Sequence, residues 1–390
     1  MRILYLASGI PVPGSLGGST HAHQVARGLA LRGHTVHLVA TSQQPRLHLA
    51  PLVRPVSQRL DGFHLHHLDL PRAVSLLTVW PVVRLLQAIQ PDVVMERYYN
   101  FAGAGIWAAH RAAVPSLLEV NALIVDPPVI FKRRLDDALG QPMRRWAVQQ
   151  CHWASHLITP LQSTIPPDVP RSKITELPWG ADVTAFARPE PIEHTTQNTD
   201  NPPIVIFAGS FRAWHGARDL VHAALLLLHQ GYSCRFVFLG DGPERDQAQR
   251  LAAPRADAFH FTGMLPYTEV PAWLHRASIG VAPFRTAAHP ALGAAGFFWS
   301  PLKVFEYMAA SLPVVTADLP PLNTIIRDGQ EGTLFHEGDH RNLATAIARL
   351  LENPVAAMQM GQQARERVVA HYSWQRHCAE LEQILLRISA

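Results

Sequence analysis

The chain has 390 residues, 48% hydrophobic and 16% charged, which is too long for one small core and suits two globular domains. Its net charge of +4 and pI near 9.1 allow anionic ligands but are too weak to mark a nucleic-acid binder. The 22 histidines are scattered rather than set at metal-ligand spacings, which argues against a metal site. Lys132, Lys173 and Lys303 are the only lysines, so arginine carries nearly all the positive charge. Three distant cysteines, Cys151, Cys234 and Cys378, make no disulfide framework and point to a reducing compartment. The N-terminus runs directly into a strand without the pattern of a signal peptide, and no apolar run reaches membrane-spanning length. The expectation is a cytoplasmic protein, with peripheral contact to the inner membrane face left open.

Arg2 to Ala7 reads as a buried parallel strand. A loop follows, ending Gly17-Gly18-Ser19-Thr20, then an amphipathic helix beginning near Thr20 and stopping at Gly33, then a strand from Thr35 to Ala40. That is a βαβ unit with a right-handed crossover. Further strands are expected at Asp92–Met95, Ser116–Glu119 and Leu157–Thr159. Residues 187–203 are polar and proline-rich, as a linker should be. A second strand-helix series then starts at Ile204, with strands at Arg235–Leu239, His260–Thr262, Ile279–Ala282 and Pro313–Ala317, and a final helix over His371–Ser389. The predicted architecture is α/β, two doubly wound Rossmann-like domains over 1–186 and 204–370, with 371–390 as a C-terminal helix returning to the first domain. Such sheets bind ligands beyond the carboxyl ends of their strands, so the two would line a central cleft.

Several strand ends carry candidate groups. Ser300 to Val315, SPLKVFEYMAASLPVV, reads as a turn, a helix and a buried strand. Pro301 suits a first helical turn, where outward-pointing amides of Leu302 and Lys303 make an anion site. Glu306, one turn on, could accept from sugar hydroxyls; the plainer alternative is a surface Lys303–Glu306 pair. Gly17 and Gly18 permit close backbone approach, with Ser19 or Thr20 as helix cap, but form neither GxGxxG nor a P-loop. After the first strand of domain two, Gly209 relaxes a turn rimmed by Arg212 and His215, donors suited to phosphate. The Gly240-Asp241-Gly242 and Gly263-Met264-Leu265 turns offer backbone groups or are simple αβ connections. Glu119, with Asn121 beyond it, could bind hydroxyls or act in acid/base chemistry, or be structural; Glu96-Arg97-Tyr98, after the previous strand, is its candidate salt-bridging neighbour. A basic, partly aromatic stretch from Lys132 to Trp146, containing Arg133, Arg134, Arg144 and Arg145, is a solvated helix face or a membrane contact.

Taken together, these stretches resemble the retaining glycosyltransferases of family 4 (glycosyl transferases group 1), which have the two-domain GT-B fold. The resemblance runs through GGSTHAHQVARGLALRGHTVHLV, PDVVMERYY, LLEVNA, LPWGADVTAF, FAGSFRAWHGARDL, FLGDGPE, FTGMLPYTEVPAWLHRASIGVAPF, SPLKVFEYMAASLPVV, GTLFHEGD, LATAIARLLENP and HYSW. It implies transfer of a sugar from a nucleotide-diphosphate sugar, UDP- or GDP-linked, to an acceptor hydroxyl. The donor would sit mainly on the second domain and the acceptor on the first, and no metal or other cofactor would be needed. Glu306 would hold the ribose, Ser300 to Lys303 the diphosphate, and Gly263, Met264 and Leu265 the nucleobase. Gly17, Gly18 and Gly209 would line the phosphates. Arg212 and His215 would stabilise the leaving group.

Two positions depart from the family. His215 stands where the leaving-group lysine is usual; a neutral imidazole still donates one hydrogen bond but brings less charge. Phe298 falls where an additional, sugar-binding glutamate is common, which leaves the amides of Phe297 to Trp299 as substitutes. Glu119 and Asn121 stand where an acceptor-side histidine is frequent, with His21 and His23 as alternatives. A non-catalytic nucleotide-sugar-binding protein and a nucleotide-sugar epimerase are the competing readings.

Overall fold

The computed structural model describes residues 1–14, 16–43, 56–69, 78–189 and 202–390. Two compact units emerge: Met1–Trp179 with Phe298–Ser300 and Trp374–Ala390, and Gly180–Phe297 with Pro301–Ser373. Most of the expected linker, residues 190–201, lies outside the described residues.

In the first unit the elements are β1 (Arg2–Pro11), α1 (Gly17–Leu31), β2 (Thr35–Thr41), β3 (Val56–Leu60), β4 (Phe63–His67), α2 (Val79–Ile89), β5 (Val93–Arg97), α3 (Ala104–Arg111), β6 (Ser116–Glu119), α4 (Phe131–Ala138), α5 (Pro142–Trp153), β7 (His156–Thr159) and β8 (Ile174–Glu176). The eight strands order as β3-β4-β2-β1-β5-β6-β7-β8. Only β3 and β4 pair antiparallel. Leu4, Leu6, Val39 and Val94 pack against Val82 and Leu85 of α2 and Ala104 and Ala108 of α3. Strands buried on both faces read as continuous apolar runs, which is why β1, β2 and β5 were legible.

The second unit runs β9 (Ile204–Ala208), α6 (Ala217–His229), β10 (Arg235–Leu239), α7 (Arg245–Ala252), β11 (Phe259–Gly263), α8 (Val270–Arg276), β12 (Ile279–Ala282), α9 (Pro290–Ala295), α10 (Leu302–Ala309), β13 (Val314–Ala317), α11 (Leu322–Ile325), β14 (Gly332–Phe335), α12 (His340–Glu352) and α13 (Pro354–His371). Its all-parallel sheet has the order β11-β10-β9-β12-β13-β14, the 3-2-1-4-5-6 arrangement of nucleotide-binding sheets. One face packs Val205, Phe207, Phe236 and Phe238 against Leu220, Ala224 and Leu227 of α6 and Leu343 and Ile347 of α12. Each of these Val, Leu, Ile and Phe side chains contributes about 1.5–3 kcal/mol on burial.

The strand order reverses between β9 and β12, and there pairing stops after two rungs, Val205–Ile279 and Ile206–Gly280. Beyond them the Tyr307 hydroxyl accepts from the Ala208 amide at 2.7 Å and donates to the Val281 carbonyl at 3.4 Å. The strands therefore splay around a phenol from α10, opening the crevice where such sheets take ligands.

Three sequence expectations change. The first helix starts at Gly17, so Gly17 and Gly18 lie in its first turn rather than in a loop. Ser19 and Thr20 are buried in that turn, their amides bonded to the Leu16 carbonyl at 2.8 and 3.0 Å, and do not cap it. The helix expected over His371–Ser389 starts three residues later: α13 ends at His371, and α14 (Trp374–Ser389) belongs to the first unit. The break has a cause in the second unit, where Tyr372 stacks on Phe305 at 4.8 Å and its carbonyl accepts from the Ala181 amide at 2.9 Å. Finally, Pro301 is the residue before α10 rather than part of its first turn, its carbonyl accepting from Val304 at 2.8 Å.

Candidate active site

Residues from four strand ends and α10 converge at the crevice of the second unit. Gly209 directly follows β9 with φ +139°, a conformation that favours glycine. A Cβ there would come within 2.8 Å of Lys303 Nζ. Lys303 therefore does not form the surface pair with Glu306 that its spacing suggested. It is 8% exposed, and its Nζ lies 4.0 Å from the Phe207 ring centroid and 5.3 Å from that of Phe284. That Nζ has no hydrogen-bond partner. Burial pushes Lys303 down to about 7, opposed by the Glu306 charge.

Glu306 is equally buried. Its Oε1 accepts from the Tyr267 hydroxyl at 2.7 Å. Burial pushes the carboxyl up to about 7, against the hydrogen bond from Tyr267 and the charge of Lys303. An acid and a base buried on one helix, both poised near neutrality, are a common signature of a functional site.

His215 reaches the same crevice. Its Nδ1 lies 2.7 Å from the Ser210 carbonyl and 3.1 Å from Ser210 Oγ. Burial pushes it down to about 3, with Lys303 acting in the same direction, so at neutral pH the ring is uncharged. Its Nδ1–H is then committed to a carbonyl and its Nε2 is an acceptor. The neutral donor expected of His215 is thus already spent on Ser210. Arg212 is exposed, its guanidinium 5.6 Å from the Trp214 ring, with no ion pair among the described residues. Gly216 has φ +70°, and a Cβ on it would collide with the Pro283 carbonyl at 1.7 Å. This contact pins the loop carrying Arg212 and His215 to the end of β12. Gly263 ends β11 and its carbonyl accepts from Gly240 at 2.9 Å; Met264 beyond it is exposed. Leu265 follows in the connection to α8.

The first unit has its own buried polar cluster. Glu119, at the end of β6, accepts from the Tyr5 hydroxyl at 2.7 Å, from Arg97 at 3.4 Å and, in a very short contact, from the Asn121 amide. Arg97 Nη1 donates to His21 Nδ1 at 2.7 Å. The His21 Nε2 stands 3.1 Å from Glu119 Oε1, off the line of a hydrogen bond. Burial, followed by the charges of Arg97 and His377, holds His21 well below its usual value. Trp179 closes the cluster: its Nε1 donates to Asn121 at 2.9 Å, its ring lies 5.0 Å from the Arg97 guanidinium, and its amide donates to Ser300 Oγ at 3.0 Å. With several donors and 2% exposure, Glu119 has the form of a carboxylate that orients Arg97 and Asn121, rather than of an open acid or base. His23 is not part of this group and pairs with Asp61 at 2.7 Å. A Cβ on Gly18 would only graze Arg97 at 3.8 Å, so packing does not demand a glycine there. Phe298 is buried and falls, with Ser300, in the first unit.

Tyr267, Tyr5 and Trp179 were not singled out from sequence, and the Lys303 side chain was weighed there only as a partner of Glu306. Tyr5 sits in an apolar strand and Tyr267 is 39 positions from Glu306, so only tertiary structure reveals them. Arg97 was found, through its position one strand before Glu119.

Comparison with known proteins follows this division. Residues 17–164 match the model of the glycosyl transferase 4-like domain, and residues 202–353 that of glycosyl transferases group 1. The chain is 29% identical over 176 residues to alpha-D-kanosaminyltransferase of Streptomyces kanamyceticus, covering 45% of this chain and 43% of that protein. It is 25% identical over 361 residues to alpha-maltose-1-phosphate synthase of Mycolicibacterium smegmatis, covering 85% and 89%. The chain thus spans less than half the length of the first of these curated relatives and most of the second. Among solved structures it is similar to sucrose-phosphate synthase from Thermosynechococcus elongatus, with TM-score 0.73, 17% identity and coverage of 99% and 98%. It is likewise similar to HepE of Anabaena in complex with UDP-glucose, with TM-score 0.71, 16% identity and coverage of 99% and 100%. These structural likenesses establish the GT-B fold.

Proposed function

Because the chain belongs to the glycosyl transferases group 1 family, we propose that it is a retaining, metal-independent glycosyltransferase moving a sugar from a nucleotide-diphosphate sugar to an acceptor hydroxyl. The observation that carries this reading is Glu306: a buried carboxylate one turn into α10, with Tyr267 orienting one oxygen. A carboxylate so placed can accept from both hydroxyls of a ribose, and the helix start can hold a diphosphate. UDP and UDP-glucose bound to HepE support a UDP-linked donor over a GDP-linked one. Gly263 to Leu265 supply the backbone for the base. Arg212, exposed and unpaired, is the side chain best able to follow charge developing on the leaving phosphate. The first unit's cluster, with Glu119 and Arg97 orienting Asn121 and His21, is assigned to the acceptor.

A panel of UDP- and GDP-sugars assayed for nucleotide release, with and without acceptors and with EDTA, tests this. Release that survives EDTA, with an α-linked donor giving an α-linked product, is expected. A product still carrying its nucleotide would make the protein an epimerase. Binding without any turnover would make it a nucleotide-sugar-binding protein.

Peripheral contact with the cytoplasmic membrane face belongs to the same reading. On α4 and its C-cap, Phe131, Leu135 and Leu139 recur every fourth residue and are exposed, as are Arg134 and Arg145. An apolar stripe with basic flanks is suited to anionic headgroups. No helix among the described residues is long and apolar enough to cross a membrane.

A further inference from the structure

We infer that the Nζ of Lys303 is a cation that binds the donor's diphosphate and acts beside Arg212 on the charge that moves onto the leaving phosphate. This rests on the donor site proposed above and gives the Lys303 side chain a charge-bearing role there, where only the backbone amide of that residue had been expected to act.

Three observations converge on it. The Nζ lies at the point where the sheet order reverses, over Phe207 and Phe284 and against the bare Cα of Gly209. It is an unpartnered ammonium more than nine-tenths buried. Ring faces compensate a buried cation only in part, and a lysine could ordinarily extend its head to water. His215 cannot do the same work, since its Nδ1 proton is held by the Ser210 carbonyl and its other nitrogen would face a phosphate oxygen with a lone pair. Lys303 Nζ and His215 Nδ1 are both near the position a Gly209 Cβ would take, at 2.8 and 3.8 Å, so the lysine reaches the space the imidazole borders.

In the transfer, the bond between the sugar C1 and the phosphate oxygen breaks with both electrons going to that oxygen. The bond from the acceptor oxygen to C1 forms, and the acceptor's hydroxyl proton passes to the departing phosphate. Lys303 makes and breaks no bond; it neutralises the oxygen that gains the electron pair. Burial holds Lys303 down to about 7, so an arriving diphosphate restores its proton.

The test compares a nucleoside diphosphate with its monophosphate by calorimetry, using whichever of UDP/UMP, GDP/GMP and ADP/AMP binds wild type tightest. Wild type should favour the diphosphate by about 10- to 100-fold, the range of a charge-assisted contact, and take up a proton at pH 8. Lys303→Met should bring the two affinities together and abolish the uptake while leaving the monophosphate unchanged, which also shows that the variant is folded. Lys303→Arg should keep part of the preference. An unchanged preference and proton uptake in Lys303→Met would overturn the assignment, as would equal losses for both nucleotides in a folded variant. If wild type binds none of the nucleotides, the donor-site reading itself fails and takes this assignment with it.

Discussion

The Tyr267 hydroxyl donates to Glu306 Oε1 across 2.7 Å, tying the turn before α8 to the middle of α10. That bond fixes which oxygen of the carboxylate remains for a ligand. Glu306→Ala should therefore weaken nucleotide binding far more than it slows turnover of bound donor, because a ribose contact is the same in ground and transition states. A loss of about 1.5–3 kcal/mol is expected for a charged acceptor, read as a raised Kd for the nucleoside diphosphate. Tyr267→Phe should cause a smaller loss by freeing the carboxylate to rotate. An unchanged Kd in both variants would remove Glu306 from the ribose.

The pH dependence follows from the same helix. Glu306 is raised to about 7 and must be ionised to accept from two hydroxyls, so binding should strengthen as pH rises toward neutrality. Lys303, lowered to about 7 by burial, must be protonated to hold a diphosphate, so binding should weaken at higher pH. The two together give a bell whose limbs belong to the pair. Glu306→Gln should flatten the acid limb and Lys303→Met the alkaline one. A monotonic wild-type profile between pH 5 and 9 would contradict this.

Much of this arrangement was legible in the sequence, and the exceptions have physical reasons. The Ile204–Ala208 and Ile279–Ala282 strands announce themselves because they are apolar runs that no polar residue interrupts. The hairpin of β3 and β4 does not, since Phe63-His64-Leu65-His66-His67 carries three histidines on the strand next to the sheet's edge. A surface pair of Lys303 and Glu306 stood as the alternative because spacing along a helix says nothing of what lies opposite. Phe207 and Phe284 cover Lys303 from strands remote in the chain. Glu119 was marked by its strand end, yet that it is saturated by Tyr5, Arg97 and Asn121 emerges only when β1, β5 and β6 stand side by side.

Arg212 should behave unlike Glu306. Its guanidinium is exposed and rests near Trp214 rather than in an ion pair, so it is available to charge that appears only as the phosphate leaves. Arg212→Ala should lower kcat by about 100- to 1000-fold, as removal of one transition-state donor does elsewhere, with donor KM little changed. Wild-type kinetics in this variant would take Arg212 off the list of catalytic residues.

Glu119 offers a stability test in the first unit. Removing a carboxylate that accepts from Tyr5 and Arg97 leaves buried donors without an acceptor. Glu119→Ala should lower unfolding stability by about 3–5 kcal/mol, measured by denaturant titration. Glu119→Gln, which keeps the shape and one acceptor oxygen, should lose less. If Glu119→Ala unfolds like wild type, the cluster is not the strut its geometry indicates.

Lys303 gives the opposite sign. A lysine at about 7 in the folded protein and about 10.4 unfolded binds fewer protons when folded across that interval, so stability rises with pH between the two values. Below pH 7 the folded state must either bury a charge or give up a proton that the unfolded chain keeps, and the penalty is at its full size. Lys303→Met removes the charge and retains apolar bulk against Phe207 and Phe284. The variant should be more stable than wild type by about 1–4 kcal/mol, the gain seen when apolar residues replace buried charges, with the advantage fading as pH climbs past 9. Thermal unfolding of both proteins from pH 6 to 10 measures this directly. A variant less stable than wild type at pH 6 would mean that the ammonium is compensated within the fold, and that the site does not keep an uncompensated charge ready for a ligand.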